Sequence, residues 1–301
     1  SIVKTRFSQL LLTDGTFFVT VWGLADYNAT FTSGNPVITD VPFLSTTMND
    51  DPDTAALAPT FTLDGEEVPF TPGQTVMQAA LAAGRYVPHL CYHPEFRPHG
   101  SCKVCTVKID GWWGTSCTRP AKAGMVVESN TDEINHKRLL LVQMLFVEGN
   151  HFCPSCEKSG NCLLQAVAYD LEVLSTDLDH FYPDRPIDAS HPDLLLDLNR
   201  CILCELCVRA SAEVDGKGVF ALSGRGIDKH LVVDAESGRL VDTNIAVTDK
   251  AVEVCPVGVI LKKRVGFAVP IGQRRYDLLP VSAQAKADAP RKPGPQESGV
   301  R

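Results

Sequence analysis

Eleven cysteines in 301 residues fall into three close-spaced groups, and a chain that gathers thiols this densely must fold around whatever binds them. The first group is Cys91, Cys102, Cys105 and Cys117, spaced C-x10-C-x2-C-x11-C. The second lies in "EGNHFCPSCEKSGNC", where Cys153, Cys156 and Cys162 follow C-x2-C-x5-C and His151 stands two places ahead. The third is Cys201, Cys204 and Cys207 in a C-x2-C-x2-C run, with Cys255-Pro256 coming 48 positions after Cys207. An odd count does not suit a disulfide framework. The opening residues lack an apolar core followed by a small-residue cleavage site, so no secretory signal is read and the cytoplasm is the expected compartment. Thiol groups there bind metal more often than they form disulfides.

Each group implies its own chemistry. A [2Fe-2S] centre needs four soft thiolates with a close pair on a tight loop, and Gly100-Ser101 before Cys102 supplies that loop's flexibility. A structural zinc site is the alternative for the first group. The third group wraps three corners of a [4Fe-4S] cubane, and a remote Cys-Pro supplies the fourth corner on a stiffened turn. Zinc seldom takes three thiolates from so short an arc. The run occurs once, so this end is expected to hold one cluster. Four and four leave three cysteines, and the middle group is one ligand short. His151 is the nearest candidate, and imidazole in place of thiolate would make a cluster one charge less negative and raise its potential. The rival reading makes His151 a cap on the preceding helix C-terminus, beside a three-cysteine cluster with an open iron. Spacing leaves both open. His89, His93 and His99 lie near a group already complete and read as loop or supporting residues, while His136, His180, His191 and His230 read as surface or cap residues.

The surrounding pattern indicates an α+β chain. Residues 1–59 carry no cysteine or histidine, contain a possible strand in "FFVTVWGL", and end in the acidic, proline-containing linker "TTMNDDPDTAALAP". From Thr60, "FTLDGEEVPF" reads as a hairpin about Asp64-Gly65, "TVMQAALAAG" as a short helix stopped by Gly84, and "TVKIDGWWGTSC" as a second hairpin about Asp110-Gly111. This predicts a β-grasp, ferredoxin-like [2Fe-2S] domain over 60–130, followed by mainly helical [4Fe-4S]-binding segments. The segment 131–178 is expected to hold an amphipathic helix at 132–148, stopped by Gly149, and a second helix in "CLLQAVAYDLEVL". The segment 179–268 is expected to be helical from about Cys204, with a late helix before Pro256. Residues 269–301 form a C-terminal tail, whose final twenty or so residues, "SAQAKADAPRKPGPQESGVR", lack a hydrophobic period and are expected to be mobile.

Several functions are disfavoured. A net charge of −8 argues against nonspecific nucleic-acid binding, and the one basic cluster, "LKKRVGFAVPIGQRRYD", reads as solvated or partner-facing. The apolar runs "FFVTVWGLA" and "RLLLVQMLF" fall short of the roughly 20 residues of a membrane span. No G-x-G-x-x-G or Walker motif occurs, the nearest approaches being "GKGVF" and "SGRG", so no catalytic, nucleotide-binding or flavin-binding residue is assigned. The expectation is a chain that carries electrons without a substrate site.

The segments "YVPHLCYHP", "GSCKVCTVKIDG", "CPSCEKSGNCLLQ", "RCILCELCV" and "CPVGVILKKRVG" resemble three relatives over about residues 60 to 280. These are the N-terminal part of the large iron-sulfur subunit of respiratory complex I, the electron-input region of iron-only hydrogenases, and the small diaphorase subunit of bidirectional NAD-reducing nickel-iron hydrogenases. The His-x-Cys of "EGNHFCPSC", the end of the sequence after the third group, and "KKRVGFAVPIGQRRYDLLPV" are most similar to the diaphorase subunit. The resemblance implies one [2Fe-2S] cluster on the first group and two [4Fe-4S] clusters, one with His151 as fourth ligand beside Cys153, Cys156 and Cys162, the other on Cys201, Cys204, Cys207 and Cys255. It implies a flavin- and NAD-binding diaphorase large subunit on one side and nickel-iron hydrogenase small and large subunits on the other. Electrons would pass from the [2Fe-2S] centre by way of the Cys201 cluster to the His151 cluster, or in reverse. The equivalent subunit of an NAD-linked formate dehydrogenase and a zinc-stabilised scaffold are the alternatives.

Overall fold

The structure, a computed structural model, describes residues 58–288 and, in backbone alone, 10–13 and 16–19. The chain forms two units. In Ser1–Ala56, β1 (Leu10–Thr13) and β2 (Thr16–Val19) pair antiparallel, with Leu10 opposite Val19. The remainder of the "FFVTVWGL" stretch, most of the expected linker and the end of the tail lie outside the described residues.

The second unit begins with β3 (Thr60–Leu63) and β4 (Glu66–Pro69), joined through Asp64 and Gly65 at φ 51° and 84°. Two left-handed residues are what a two-residue hairpin turn requires. Asp64 Oδ1 also accepts from the Ser129 and Asn130 amides, at 2.6 and 3.0 Å. Helix α1 (Val76–Ala82) starts in a capping box: Gln78 N donates to Thr75 Oγ1 at 3.2 Å, and Thr75 N donates to Gln78 Oε1 at 2.8 Å. Strands β5 (Thr106–Ile109) and β6 (Trp112–Thr115) form the second hairpin, through Asp110 and Gly111 at φ 50° and 81°. Strand β7 (Val126–Glu128) inserts between β3, parallel, and β5, antiparallel, giving the order β4-β3-β7-β5-β6. Phe61, Val68, Met77, Val107 and Val127 pack into one core beneath α1. The long loop from α1 to β5 carries Cys91, Cys102 and Cys105, and Cys117 follows β6.

Helix α2 (Asp132–Val147) is capped by Thr131, with Asp132 and Glu133 in the first turn, where negative charge suits the helix dipole. It departs from a simple amphipathic pattern, because its buried positions include Arg138 and Gln143 beside Ile134, Val142 and Val147. Arg138 donates to Ser129 O at 2.7 Å, Thr106 O at 2.8 Å and Ser129 Oγ at 3.0 Å, tying α2 to the sheet. Helix α3 (Leu163–Asp170) begins directly after Cys162.

Beyond it come β8 (Ile187–Asp188), β9 (Leu194–Asp197), α4 (Leu206–Glu213), β10 (Phe220–Ser223), β11 (His230–Val233), α5 (Lys250–Glu253) and β12 (Ile260–Lys262). Strands β12-β9-β8 form one sheet and β10-β11 a hairpin. The segment is therefore not mainly helical as expected. Past α4 the chain is turned toward β10 by Ser211, whose carbonyl accepts from Lys217 N at 2.8 Å and whose hydroxyl accepts from Val219 N at 2.8 Å. Asp215 then caps α5, accepting from the Lys250 and Ala251 amides at 2.8 and 3.0 Å.

The tail also differs from expectation, for α6 (Val281–Asp288) is helical. Pro280 O receives the Ala283 and Gln284 amides, Val281 is buried, and Ser282 Oγ bonds Asp170 at the end of α3. Part of the basic cluster turns inward as well: Arg274 donates to Ser159 O at 3.2 Å and Tyr276 N to Gly160 O at 2.9 Å.

Candidate metal centres

The first four thiols sit at the edge of the five-stranded sheet as two pairs. Cys105 Sγ and Cys117 Sγ lie 3.3 Å apart, and Cys91 Sγ accepts from Cys102 N at 3.5 Å. Gly100 and Lys103 both take left-handed backbone, φ 73° and 58°, to bend the loop around them. Only glycine suits position 100, where a Cβ would also stand 3.0 Å from Thr118 Cγ2. A hydrogen bond from Cys102 holds the Cys91 thiol down to about 5 while Cys102 is pushed up. Likewise Cys117 holds Cys105 down to about 7 while its own thiol rises well above the usual range.

The middle group encloses a small cavity walled by Cys153, Cys156, Cys162, His151, Phe146 and Arg200. His151 Nε2 is buried and has no hydrogen-bond partner. The ring also interacts with the Leu145 backbone, in the last turn of α2, where carbonyls lack helical partners. Burial, then the Arg200 charge, hold the imidazole down to about 4, so the ring is neutral at pH 7 with a lone pair free. The ring thus sits beside the end of α2 with its buried Nε2 unpartnered at the cavity wall. Gly149 makes this possible: a Cβ there would fall 2.6 Å from His151 Nε2. Its φ is not among the positive ones, so it gives room to the ring rather than a left-handed helix stop. Burial pushes the Cys162 thiol up to about 12 and raises Cys153 too.

The third group lines an apolar cavity, with Cys201, Cys204, Cys207 and Cys255 set among Leu222, Leu231, Val257 and Val259. Leu203 and Glu205 are left-handed, φ 52° and 61°, a strain of about 1–3 kcal/mol each that turns alternate residues outward and the thiols inward. Burial pushes Cys201 up to about 11 and Cys204 and Cys207 well above the usual range. Such thiols stay protonated unless a metal displaces the proton. Among the described residues, no three His, Cys, Asp or Glu side chains converge on a single-ion position. In the middle and third sets the side chains surround cavities instead, as a polynuclear cluster with one iron per corner requires.

All twelve sequence-predicted donors fall into these three sets, and the third set touches both others. Toward the first, Ser101 Oγ donates to Leu203 O at 3.4 Å and Arg209 to Cys91 O at 2.8 Å, while His99 Nε2 lies 3.0 Å from Glu205. Toward the middle, Asn150 N donates to Asn199 O at 2.7 Å and Leu163 N to Pro256 O at 2.8 Å, and Arg200 Nη1 stands 3.5 Å from Cys156 Sγ. His89 packs against Tyr86 and Tyr92 with its ring against Val87 O. Sequence reasoning missed Arg138, Arg200 and Gly258, and read Gly149 only as a helix stop. Arg200 alone offered a cue, as a cation directly beside a ligand.

Residues 58–132 match a family described as a 2Fe-2S iron-sulfur cluster binding domain, 138–176 the NADH-ubiquinone oxidoreductase-G iron-sulfur binding region, and 194–261 a 4Fe-4S single cluster domain. The chain is 39% identical over 225 residues to the gamma chain of the NAD-reducing hydrogenase HoxS of Cupriavidus necator, covering 74% of this chain and 95% of that one. It is 29% identical over 208 residues to the alpha chain of the NADPH-Fe(3+) oxidoreductase of Geobacter sulfurreducens. It is 30% identical over 215 residues to the mitochondrial NADH-ubiquinone oxidoreductase 78 kDa subunit of Candida albicans. Those two matches cover 68% of this chain but only 24% and 29% of the longer relatives. A chain in the crystal structure of NAD+-reducing [NiFe]-hydrogenase in the H2-reduced state superposes with a TM-score of 0.73 at 54% identity, covering 76% of this chain and 98% of that one.

Proposed function

Because the chain belongs to the family of the gamma chain of NAD-reducing hydrogenase, we propose that it is the electron-transfer subunit of such a complex, relaying electrons between a nickel-iron hydrogenase module and a flavin- and NAD-binding diaphorase module. In this reading the sheet and α1 form a β-grasp domain. Cys91, Cys102, Cys105 and Cys117 hold a [2Fe-2S] cluster; His151, Cys153, Cys156 and Cys162 hold one [4Fe-4S] cluster; and Cys201, Cys204, Cys207 and Cys255 hold another. When bound, these clusters accept and release single electrons. The protein's own work is to supply thiolates and one neutral imidazole, exclude water with apolar walls, and fix the three donor sets in contact.

The observation that carries the reading is the third set's contact with both others. It supports the series [2Fe-2S], Cys201 cluster, His151 cluster, with the first and last facing the partners. Phe152 lies beside the middle donors and is 71% exposed, which suits contact with a partner subunit at that end. No helix among the described residues is long and apolar enough to cross a membrane. We place the complex in the cytoplasm, where thiols stay reduced.

Purification of the chain with its partners tests this. About ten irons with matching acid-labile sulfide are expected per chain, together with nickel and flavin on neighbouring subunits and hydrogen-dependent NAD reduction by the whole complex alone. Molybdenum in place of nickel would redirect the reading to a formate dehydrogenase, and zinc without sulfide would end it.

A further inference from the structure

Arg200 stands between two of the three donor sets. It directly precedes Cys201, a thiol of the third set, yet its guanidinium extends to the middle set. Nη1 lies 3.5 Å from Cys156 Sγ and donates to Gly258 O at 3.3 Å. On the other edge, Nε pairs with Asp197 Oδ2 at 2.8 Å. Asp197 is itself only 6% exposed, and its Oδ1 accepts from the backbone and the side chain of Asn199, both at 3.1 Å. The guanidinium is therefore fixed from both edges, not swinging in solvent. Room for its approach to sulfur depends on Gly258, where a Cβ would fall 2.9 Å from Cys156 Sγ and 3.2 Å from Arg200 Nη1.

A cluster becomes more negative when reduced, and its thiolates share that charge. An N–H donated to such a sulfur, carrying a positive charge with it, stabilises the reduced form more than the oxidised one and raises the potential. We infer that Arg200 tunes the potential of the middle centre: its guanidinium on Cys156 holds that potential up and biases an electron shared by the two [4Fe-4S] centres toward the His151 side. Asp197 opposes it, since a carboxylate beside the guanidinium cancels part of the field at the sulfur. The inference rests on the reading that the middle set binds an iron-sulfur cluster.

The test is an EPR-monitored redox titration of the intact complex carrying Arg200→Met, Arg200→Lys or Asp197→Asn, with the [2Fe-2S] signal as internal reference. Arg200→Met should lower the reduced-to-oxidised ratio of the middle centre about tenfold at fixed potential, about 59 mV for one electron. Arg200→Lys should lower it less. Asp197→Asn, which keeps the side-chain shape, should shift it upward. A role in folding alone predicts no such opposition of sign. With iron content intact, an unshifted middle centre in Arg200→Met overturns the inference, and so does a downward shift in Asp197→Asn. Should Arg200→Met lose iron, Arg200→Lys and Asp197→Asn decide by the same criteria. A wild-type complex short of one cluster's iron would overturn the cluster reading itself, whereas a full complement with unmoved potentials overturns this inference alone.

Discussion

The imidazole of His151 is held neutral by burial, and its unpaired Nε2 borders a cavity that the three thiols and Arg200 share. Replacement by alanine should cost the middle cluster an iron or change its EPR signal while leaving the [2Fe-2S] spectrum as it was. His151→Cys should restore four irons at a lower potential, because a thiolate adds negative charge. An unchanged spectrum in the alanine variant would return the residue to a purely helix-capping role. Farther along the chain, the Arg274 ion pair holds the Asp277 carboxyl down to about 2. A depressed carboxyl contributes stability above its unfolded value near 3.8, lost as pH falls toward about 2. The 274–277 anchor should therefore remain protected in hydrogen exchange at pH 5, and Asp277→Asn should expose it even at pH 7. Of this detail the sequence yields the ligand count and little else. Spacing does not reveal which nitrogen of His151 is left unpaired, and the Arg200–Cys156 contact spans 44 positions with no periodic pattern to announce it.

Among the elements, those specified by neighbouring residues were legible. Both Asp-Gly turns and the α1 capping box follow from local backbone and side-chain chemistry. Thr75→Ala should lower stability by about 1 kcal/mol, read as a fall in the melting temperature of the 58–132 region. What was not legible depends on distant partners. Strand β12 exists because Ile260 pairs with Leu196, and nothing near residue 260 marks it as a strand edge rather than the end of a helix. Arg138 was hidden in the same way, its charge absorbed by carbonyls brought in from the sheet. Arg138→Met leaves those carbonyls without donors in a buried place and should cost about 3 kcal/mol, visible in chemical denaturation. Arg138→Lys, which reaches fewer of them, should recover only part.

For the whole molecule, the proposed clusters would contribute folding free energy beyond residue 150, where the middle and third thiol sets line cavities that an empty site leaves unfilled. Iron removal should open 150–260 to protease while the sheet at 60–128, with its own core, stays resistant; retained resistance in the first region would count against this. The short stretch from Cys255 to Gly258 has the widest consequence. It delivers the last thiol of the third set, and three residues on it supplies the glycine wall of the middle set. During synthesis, then, the residues of the [2Fe-2S] site have all emerged once Cys117 has, but the other two sites must wait for the same few residues. In the proposed reading, chain order becomes a timetable, in which one cluster can be installed early and two stay open until a single late segment closes them together.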